Sequence, residues 1–164
     1  DHGHENNPKF PRGKDTRTIY GFNYRMTELQ GAIGKVQLKK LNSIIKKNKL
    51  RYKALSNALE NKFTLKKIPK KSEIIYDTLI MFVDDKNLRT KIVKHLVDKG
   101  FGTKNLPDAL EWHCAAFWDH ILKKEQVNRA KKTKEKLSKA IAIPIWLKKS
   151  VKDYLSLGKN LKKL

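Results

Sequence analysis

The strongest constraint on the fold is a run of helical periodicity that begins after residue 27. The tetrapeptide "TELQ" at residues 27–30 has the capping-box pattern, in which Thr27 and Gln30 satisfy each other's backbone amides. Apolar residues then recur every three or four positions, which predicts one amphipathic helix from about residue 28 to about residue 60. They are Leu29, Ile33, Val36, Leu41, Ile44, Ile45, Tyr52, Leu55 and Leu59.

Two glycines, Gly31 and Gly34, lie inside this predicted helix. Each costs roughly 1 kcal/mol against alanine at a helical position. Their presence favours close approach of another backbone. The first turns also carry apolar residues on more than one side, so we expect exposed apolar surface wherever no other domain covers them.

The remaining segments predict alternating strands and helices. A run rich in β-branched and aromatic residues predicts a strand from about Ile74 to about Val83. "NLRTKIVKHLVDKG" predicts a helix that Gly100 closes in the left-handed conformation. "KEQVNRAKKTKEKLSKA" is typical of one basic helix, "IAIPIW" of a short buried strand and "VKDYLSLGKNLKKL" of a last helix. The predicted fold class is α/β, with a small sheet covered by helices on one side.

The amino-acid composition is strongly basic. The 164 residues include 38 Lys and Arg against 16 Asp and Glu, a net charge of +22. Such a balance is common in proteins that bind nucleic acids or anionic surfaces. The lysines are nevertheless spread over almost every segment, mostly as pairs on the polar sides of helical patterns, which favours a solvated surface. A stand-alone basic nucleic-acid-binding module remains the alternative function.

Several other classes have little support. The single cysteine, Cys114, excludes an internal disulfide and fits a reducing compartment. No apolar run reaches the ~20 residues of a membrane span, so we expect a soluble, cytoplasmic protein without membrane contact. The histidines lack the spacing of a zinc motif, and we predict no metal site.

The triplet Asn23, Tyr24 and Arg25 directly precedes the predicted long helix. Free amides and the helix dipole favour an anion at a helix amino terminus. Asparagine and arginine side chains both suit phosphate or carboxylate. The alternative is structural: Asn23 makes a local turn and Arg25 pairs with Glu28 on the surface.

The first 41 residues also carry a family pattern. "DHGHE" followed by "GFNYRMTELQGAIGKVQLKKL" resembles the DegT/DnrJ/EryC1/StrS sugar aminotransferases, which are pyridoxal-phosphate enzymes of fold type I. The residues that fill the pattern are Asp1, His2, Gly3, Gly21, Asn23, Arg25, Met26, Gln37 and Leu38. The resemblance implies that this chain is the carboxy-terminal part of such an enzyme: the tail of the large cofactor domain and the small α/β domain.

Cofactor, partners and roles follow from the same resemblance. It implies pyridoxal 5'-phosphate, glutamate as amino donor, a keto-sugar acceptor and a homodimer whose active sites are shared between subunits. Asn23 is expected to bind the cofactor phosphate of the neighbouring subunit, with Tyr24 and Arg25 nearby as substrate-binding residues. Arg25 either contacts the substrate anion or braces the motif. The Schiff-base lysine is expected upstream of Asp1, so no catalytic residue is expected in this chain, which should be inactive alone.

A narrower resemblance concerns the substrate. "PRGKDT", "GFGTKNLPDALEWHCAAFWDH" and "AIAIPIWLKKS" look most like enzymes that make 8-amino-3,8-dideoxy-manno-octulosonate, a lipopolysaccharide sugar acid. This resemblance makes the segment from Lys104 to His120 a candidate substrate region, with Lys104, Asn105 and His113 as candidate substrate-binding residues. In the alternative interpretation Lys104 is a surface lysine, and Trp112, Phe117 and Trp118 belong to the core.

The expected organisation has three parts. Residues 1–26 form a loop and active-site motif of the large domain, 27–61 a connecting helix, and 62–164 the small domain. The opening 25 residues are polar and irregular, which is unusual for the start of a free-standing domain and indicates a piece of a longer protein.

Overall fold

The computed structural model describes residues 8–11, 14 and 26–164. The chain divides into two units, Asp1–Leu41 and Asn42–Leu164. The sequence-predicted residues Asn23, Tyr24 and Arg25 lie outside the described residues.

Nine helices and strands are described, together with one short 3-10 helix at Ala115–Phe117. They are α1 (Glu28–Leu59), β1 (Thr64–Leu65), β2 (Thr78–Phe82), α2 (Lys86–Asp98), α3 (Leu110–His113), α4 (Lys124–Arg129), α5 (Lys131–Ser138), β3 (Ala140–Pro144) and α6 (Val151–Leu161).

In the first unit, α1 starts where the capping box predicts. The Thr27 amide donates to Gln30 Oε1 at 2.9 Å, and the Gln30 amide donates to Thr27 Oγ1 at 3.3 Å. The apolar side chains of this part of the helix are exposed; they are Met26, Leu29, Ile33, Val36, Leu38 and Leu41. A Cβ added to Gly34 would meet nothing within 4 Å, so among the described residues no backbone approaches there.

In the second unit, three strands form an antiparallel sheet in the order β1-β2-β3. The register pairs Leu79 with Ile143 and Met81 with Ile141, and all four side chains are fully buried. Because side chains alternate along a strand, Ile80 and Phe82 point to the opposite face of β2, where they are only half-buried. The α/β prediction is confirmed.

The core lies between this sheet and three helices. The residues from α1, α2 and α6 are Tyr52, Leu55, Leu59, Ile92, Leu96, Tyr154, Leu157 and Leu161. Gly158 permits the closest approach, since a Cβ there would lie 2.4 Å from Ala58 Cβ. A side chain at Gly158 would therefore force α1 and α6 apart.

Polar side chains fix the connection between β3 and α6. Tyr154 donates its hydroxyl to the Pro144 carbonyl at 3.0 Å and accepts from the Trp146 amide at 2.7 Å. Burial raises the pKa of the Tyr154 phenol. Arg51 of α1 donates to the carbonyls of Leu147 and Lys149, which stabilises the turn before α6. The Gly100 prediction is confirmed, with φ of 67° after α2.

Two predicted boundaries are wrong. The strand predicted from about Ile74 begins only at Thr78, because Tyr76 has φ of 55°, which is incompatible with an extended strand. The single basic helix is two helices, α4 and α5, because Ala130 takes φ −88° and ψ −1° between them. Its amide bonds to the carbonyls of Val127 and Asn128, which closes α4 early.

Candidate functional site

The structure describes only one of the two predicted parts of the site. Asn23, Tyr24 and Arg25 lie outside the described residues, and only the helix amino terminus that follows them is seen. The substrate segment around Lys104, Asn105 and His113 is described in full. The geometry of the candidate site is therefore the geometry of this second segment.

Lys104 lies at the outer edge of β3. Its amide donates to the Ala142 carbonyl at 2.9 Å, and the Ala142 amide donates to the Leu106 carbonyl at 3.1 Å. These two bonds hold the backbone on both sides of Lys104 and Asn105 against a buried strand. Because β3 is buried along its whole length, the segment has a rigid support.

The Lys104 ammonium forms an ion pair with Asp77. Nζ lies 2.6 Å from Oδ2, and the two side chains are 48% and 39% exposed. The pair is screened by water, so it adds little to stability. Its effect is geometric: it fixes the direction of a long side chain whose remaining N–H donors stay accessible to an anion.

Sequence reasoning missed Asp77. It is separated from Lys104 by 27 residues, and only the paired strands bring the two together. Asp77 is placed by its own carbonyl, which accepts from the Ile145 amide at 2.8 Å, and by the positive φ of the preceding Tyr76. The buried Asn48 of α1 donates its amide to the Ile75 carbonyl at 3.3 Å, which holds the same segment from the core side.

Asn105 adopts φ of 66°, a left-handed conformation that asparagine tolerates better than most residues. Its carbonyl accepts from the Ala109 amide at 2.8 Å, so it opens the turn that leads to α3. Thr103 donates its hydroxyl to Asp108 across the same turn. The identity of Asn105 is thus explained by the backbone, while its side chain remains exposed.

His113 ends α3, and its side chain is exposed. No hydrogen bond or ion pair joins it to Lys104 or Asn105 in the described part of the chain. The neighbouring Trp112 is 79% exposed, so its assignment to the core is wrong. Phe117 and Trp118 are half-buried, and the Lys134 ammonium lies 4.1 Å from the centre of the Phe117 ring.

The segment thus displays an oriented ammonium, an exposed amide, an imidazole and an indole. Such groups bind carboxylates, hydroxyls and flat apolar surfaces, and none is paired with a nucleophile and base. Among the described residues no group of three or more His, Cys, Asp or Glu could hold a metal ion. The described helices include none that is long and apolar enough to cross a membrane.

Comparison with protein families gives a match over residues 1–157 to the DegT/DnrJ/EryC1/StrS aminotransferase family. The chain belongs to this family. The match covers the amino-terminal motif and most of the second unit, so the family resemblance extends well beyond the motif residues. It gives no support to a stand-alone nucleic-acid-binding module.

Solved structures of similar fold include sugar aminotransferases. The sugar aminotransferase CalS13 from Micromonospora echinospora matches with a TM-score of 0.63 at 16% identity, over 99% of this chain and 42% of its own. The putative sugar aminotransferase Spr1654 from Streptococcus pneumoniae, in its PMP form, matches with a TM-score of 0.62 at 14% identity, over 99% and 42%.

The aminotransferase from Psychrobacter cryohalolentis matches with a TM-score of 0.59 at 18% identity, over 99% of this chain and 46% of its own. At such identities the likeness shows the fold. This DegT/DnrJ/EryC1/StrS chain spans less than half the length of each of these three proteins.

Proposed function

We propose that this chain is the carboxy-terminal part of a pyridoxal-phosphate-dependent sugar aminotransferase that transfers an amino group from glutamate to a keto-sugar. The observation that carries the proposal is the family match over residues 1–157. The similar structures described as sugar aminotransferases support the sugar as acceptor class.

The proposed acceptor is 8-oxo-Kdo, which gives 8-amino-3,8-dideoxy-manno-octulosonate for lipopolysaccharide or a related cell-surface polysaccharide. The support is the sequence of the segment 104–120 and the chemistry of its side chains. A sugar acid carries a carboxylate, and Lys104 offers accessible N–H donors in a direction fixed by Asp77. Asn105 and His113 are proposed to bond to hydroxyl groups of the sugar.

Pyridoxal phosphate, when bound, supplies an electron sink that stabilises the carbanion formed from the amino donor. The residue proposed to hold its phosphate is Asn23, from the neighbouring subunit, with Arg25 and Tyr24 close to the substrate anion. All three lie outside the described residues, so the described residues give no contact that tests the fit, and the assignment rests on the motif. The Schiff-base lysine is proposed to lie upstream of Asp1.

In this proposal the described residues bind and orient the substrate. The rigid edge of β3 sets the position of the Lys104 backbone, and Asp77 sets the direction of its ammonium. Asp77 is therefore a positioning residue. A homodimer with shared active sites and a cytoplasmic location complete the proposal.

The decisive experiment uses the longer polypeptide that contains this chain, purified with pyridoxal phosphate. We expect glutamate-dependent amination of the sugar, followed as release of 2-oxoglutarate and as a new amino-sugar in mass spectrometry. The chain of 164 residues alone serves as the inactive control. Without a keto-sugar we expect at most one equivalent of glutamate to be consumed per subunit, because the amino group then stays on the cofactor. Continued glutamate consumption without a keto-sugar, or no amino-sugar in its presence, would show that the proposed function is wrong.

A substrate panel tests the narrower proposal separately. We expect 8-oxo-Kdo to be aminated with a higher kcat/KM than nucleotide-linked keto-sugars. Preference for the nucleotide-linked sugars would refute the octulosonate assignment and leave the aminotransferase assignment standing.

A further inference from the structure

The open face of the sheet bears a cavity that the proposed function does not use. It has a volume of about 660 Å³ and lies within the second unit. We call it the lysine-rimmed cavity. Its lining residues are Thr64, Leu65, Lys66, Lys67, Ile80, Phe82, Leu106, Lys136, Leu137 and Lys139.

The lining of the lysine-rimmed cavity is apolar. Ile80 and Phe82 come from the outward face of β2, and Leu137 comes from α5. Leu65 and Leu106 add apolar area from β1 and from the segment beside β3. The volume falls within the range of ~300–1,000 Å³ that is typical of small-molecule sites, which are also mainly apolar.

The charge at the lysine-rimmed cavity has one sign. Four lysines line it, and no acidic residue does so in the part of the chain that the structure describes. Lys139 pairs with Asp84 at 2.8 Å, and Lys136 lies 5.6 Å from the centre of the Phe82 ring. Lys66 and Lys67 have no acidic partner among the described residues, so their ammonium groups remain available to an anion.

The apolar interior and the unpaired ammonium groups together favour a ligand with an apolar part and an anionic part. An apolar body gains by leaving water, and an anionic head gains by approaching Lys66 and Lys67. A neutral molecule would gain only from the burial of its apolar body, and a small inorganic anion only from its attraction to the lysines. We propose that the lysine-rimmed cavity binds a small anionic amphiphile, with one carboxylate, sulfonate or phosphate head and an apolar body.

The test is calorimetric titration of this chain with decanoate at low ionic strength, below the micelle concentration. We expect saturable binding of one decanoate to the cavity, weaker binding at high salt because screening reduces the attraction of the lysines, and weaker binding of neutral decyl glucoside. Methyl shifts at Ile80 and Leu137 in NMR spectra would place the ligand in the cavity. No saturable binding, or equal affinity for both probes, overturns the proposal.

Matched variants separate the cavity from other apolar surface. K66E/K67E should raise the Kd for decanoate about tenfold, whereas K39E/K40E on α1 should leave it within about twofold. Leu137→Gln should weaken binding, and Leu38→Gln, on the exposed part of α1, should not. Circular dichroism checks that each variant is folded. Loss of binding in the α1 variants instead would assign decanoate to α1 and refute the proposal, without bearing on the aminotransferase assignment.

Discussion

The two ends of α1 have the same sequence pattern and opposite environments. Leu29 near the start is 70% exposed, whereas Leu55 and Leu59 near the end are fully buried. Both ends repeat apolar residues at helical spacing. The difference shows that periodicity marks a face able to be buried, while burial itself requires a packing partner.

The largest effect on stability is expected at the buried end of α1. Leu55→Ala should lower the free energy of unfolding by about 3 kcal/mol, because it removes a fully buried side chain and leaves a cavity. The matched control Leu29→Ala should change it by less than about 0.5 kcal/mol. Urea unfolding of this chain measures both, and equal losses would contradict the contrast.

The glycines of the two regions should respond with opposite signs. Gly158→Ala places a Cβ 2.4 Å from Ala58 Cβ and should destabilise by about 1–3 kcal/mol through overpacking. Gly34→Ala meets nothing within 4 Å and should increase the helicity of α1, with a gain of up to about 1 kcal/mol at that position. Thermal melts and circular dichroism compare them, and a stabilising Gly158→Ala would show that α6 can shift.

Substitutions at the helix caps are expected to have effects of intermediate size on stability. The Asp153 amide donates to Ser150 Oγ at 3.1 Å, and the Ser150 amide donates to Asp153 Oδ2 at 2.6 Å. Ser150→Ala should cost about 1 kcal/mol in global unfolding because α6 belongs to the core. Ser156→Ala, an exposed position on the same helix, is the control.

The corresponding change at α1, Thr27→Ala, should fray only the first turns. Their side chains are exposed in this chain, so local opening does not require global unfolding. Hydrogen exchange should therefore show faster exchange near the start of α1 at an unchanged urea midpoint. A lowered midpoint would mean that this region unfolds together with the core.

The Ser150 cap also predicts a pH dependence. The hydrogen bonds from Ser150 lower the pKa of the Asp153 carboxyl below its ordinary value of 3.8. The stabilisation is therefore fully present above pH 3.8 and is lost as the pH falls through the folded-state pKa. Asp153→Asn should destabilise at neutral pH and converge with the wild type in acid, as followed by thermal melts across pH. A constant difference at every pH would exclude this carboxylate as the cause.

The smallest effect on stability is expected at the candidate site. Lys104→Gln and Asp77→Asn should each change the free energy of unfolding by less than about 1 kcal/mol, since the ion pair is exposed. In the proposed longer enzyme both should raise KM for the proposed sugar-acid substrate, with a smaller change in kcat. The control Lys94→Gln, an exposed lysine on α2, should leave KM unchanged, and an unchanged KM in all three variants would exclude Lys104 from the site.

Two local signals agree with the structure, and both depend only on neighbours in sequence. Thr27 and Gln30 cap α1 as predicted, and Gly100 takes the left-handed conformation that its position after α2 requires. The ion pair between Asp77 and Lys104 had no such signal, because residues 27 positions apart meet only when β2 and β3 pair. Tyr76 likewise adopts positive φ at a position where sequence favours extended backbone.

The sequence by itself determined the long capped helix, the α/β class and, through its motif, the aminotransferase family. These depend on hydrogen bonds and periodicities within a few residues, or on a pattern of residue types that persists along the chain. Only the tertiary structure decided which end of α1 is buried, how Lys104 is oriented and where the open face of the sheet leaves a cavity. Those features depend on contacts between distant segments, and burial and pairing exist only after the strands and helices have packed.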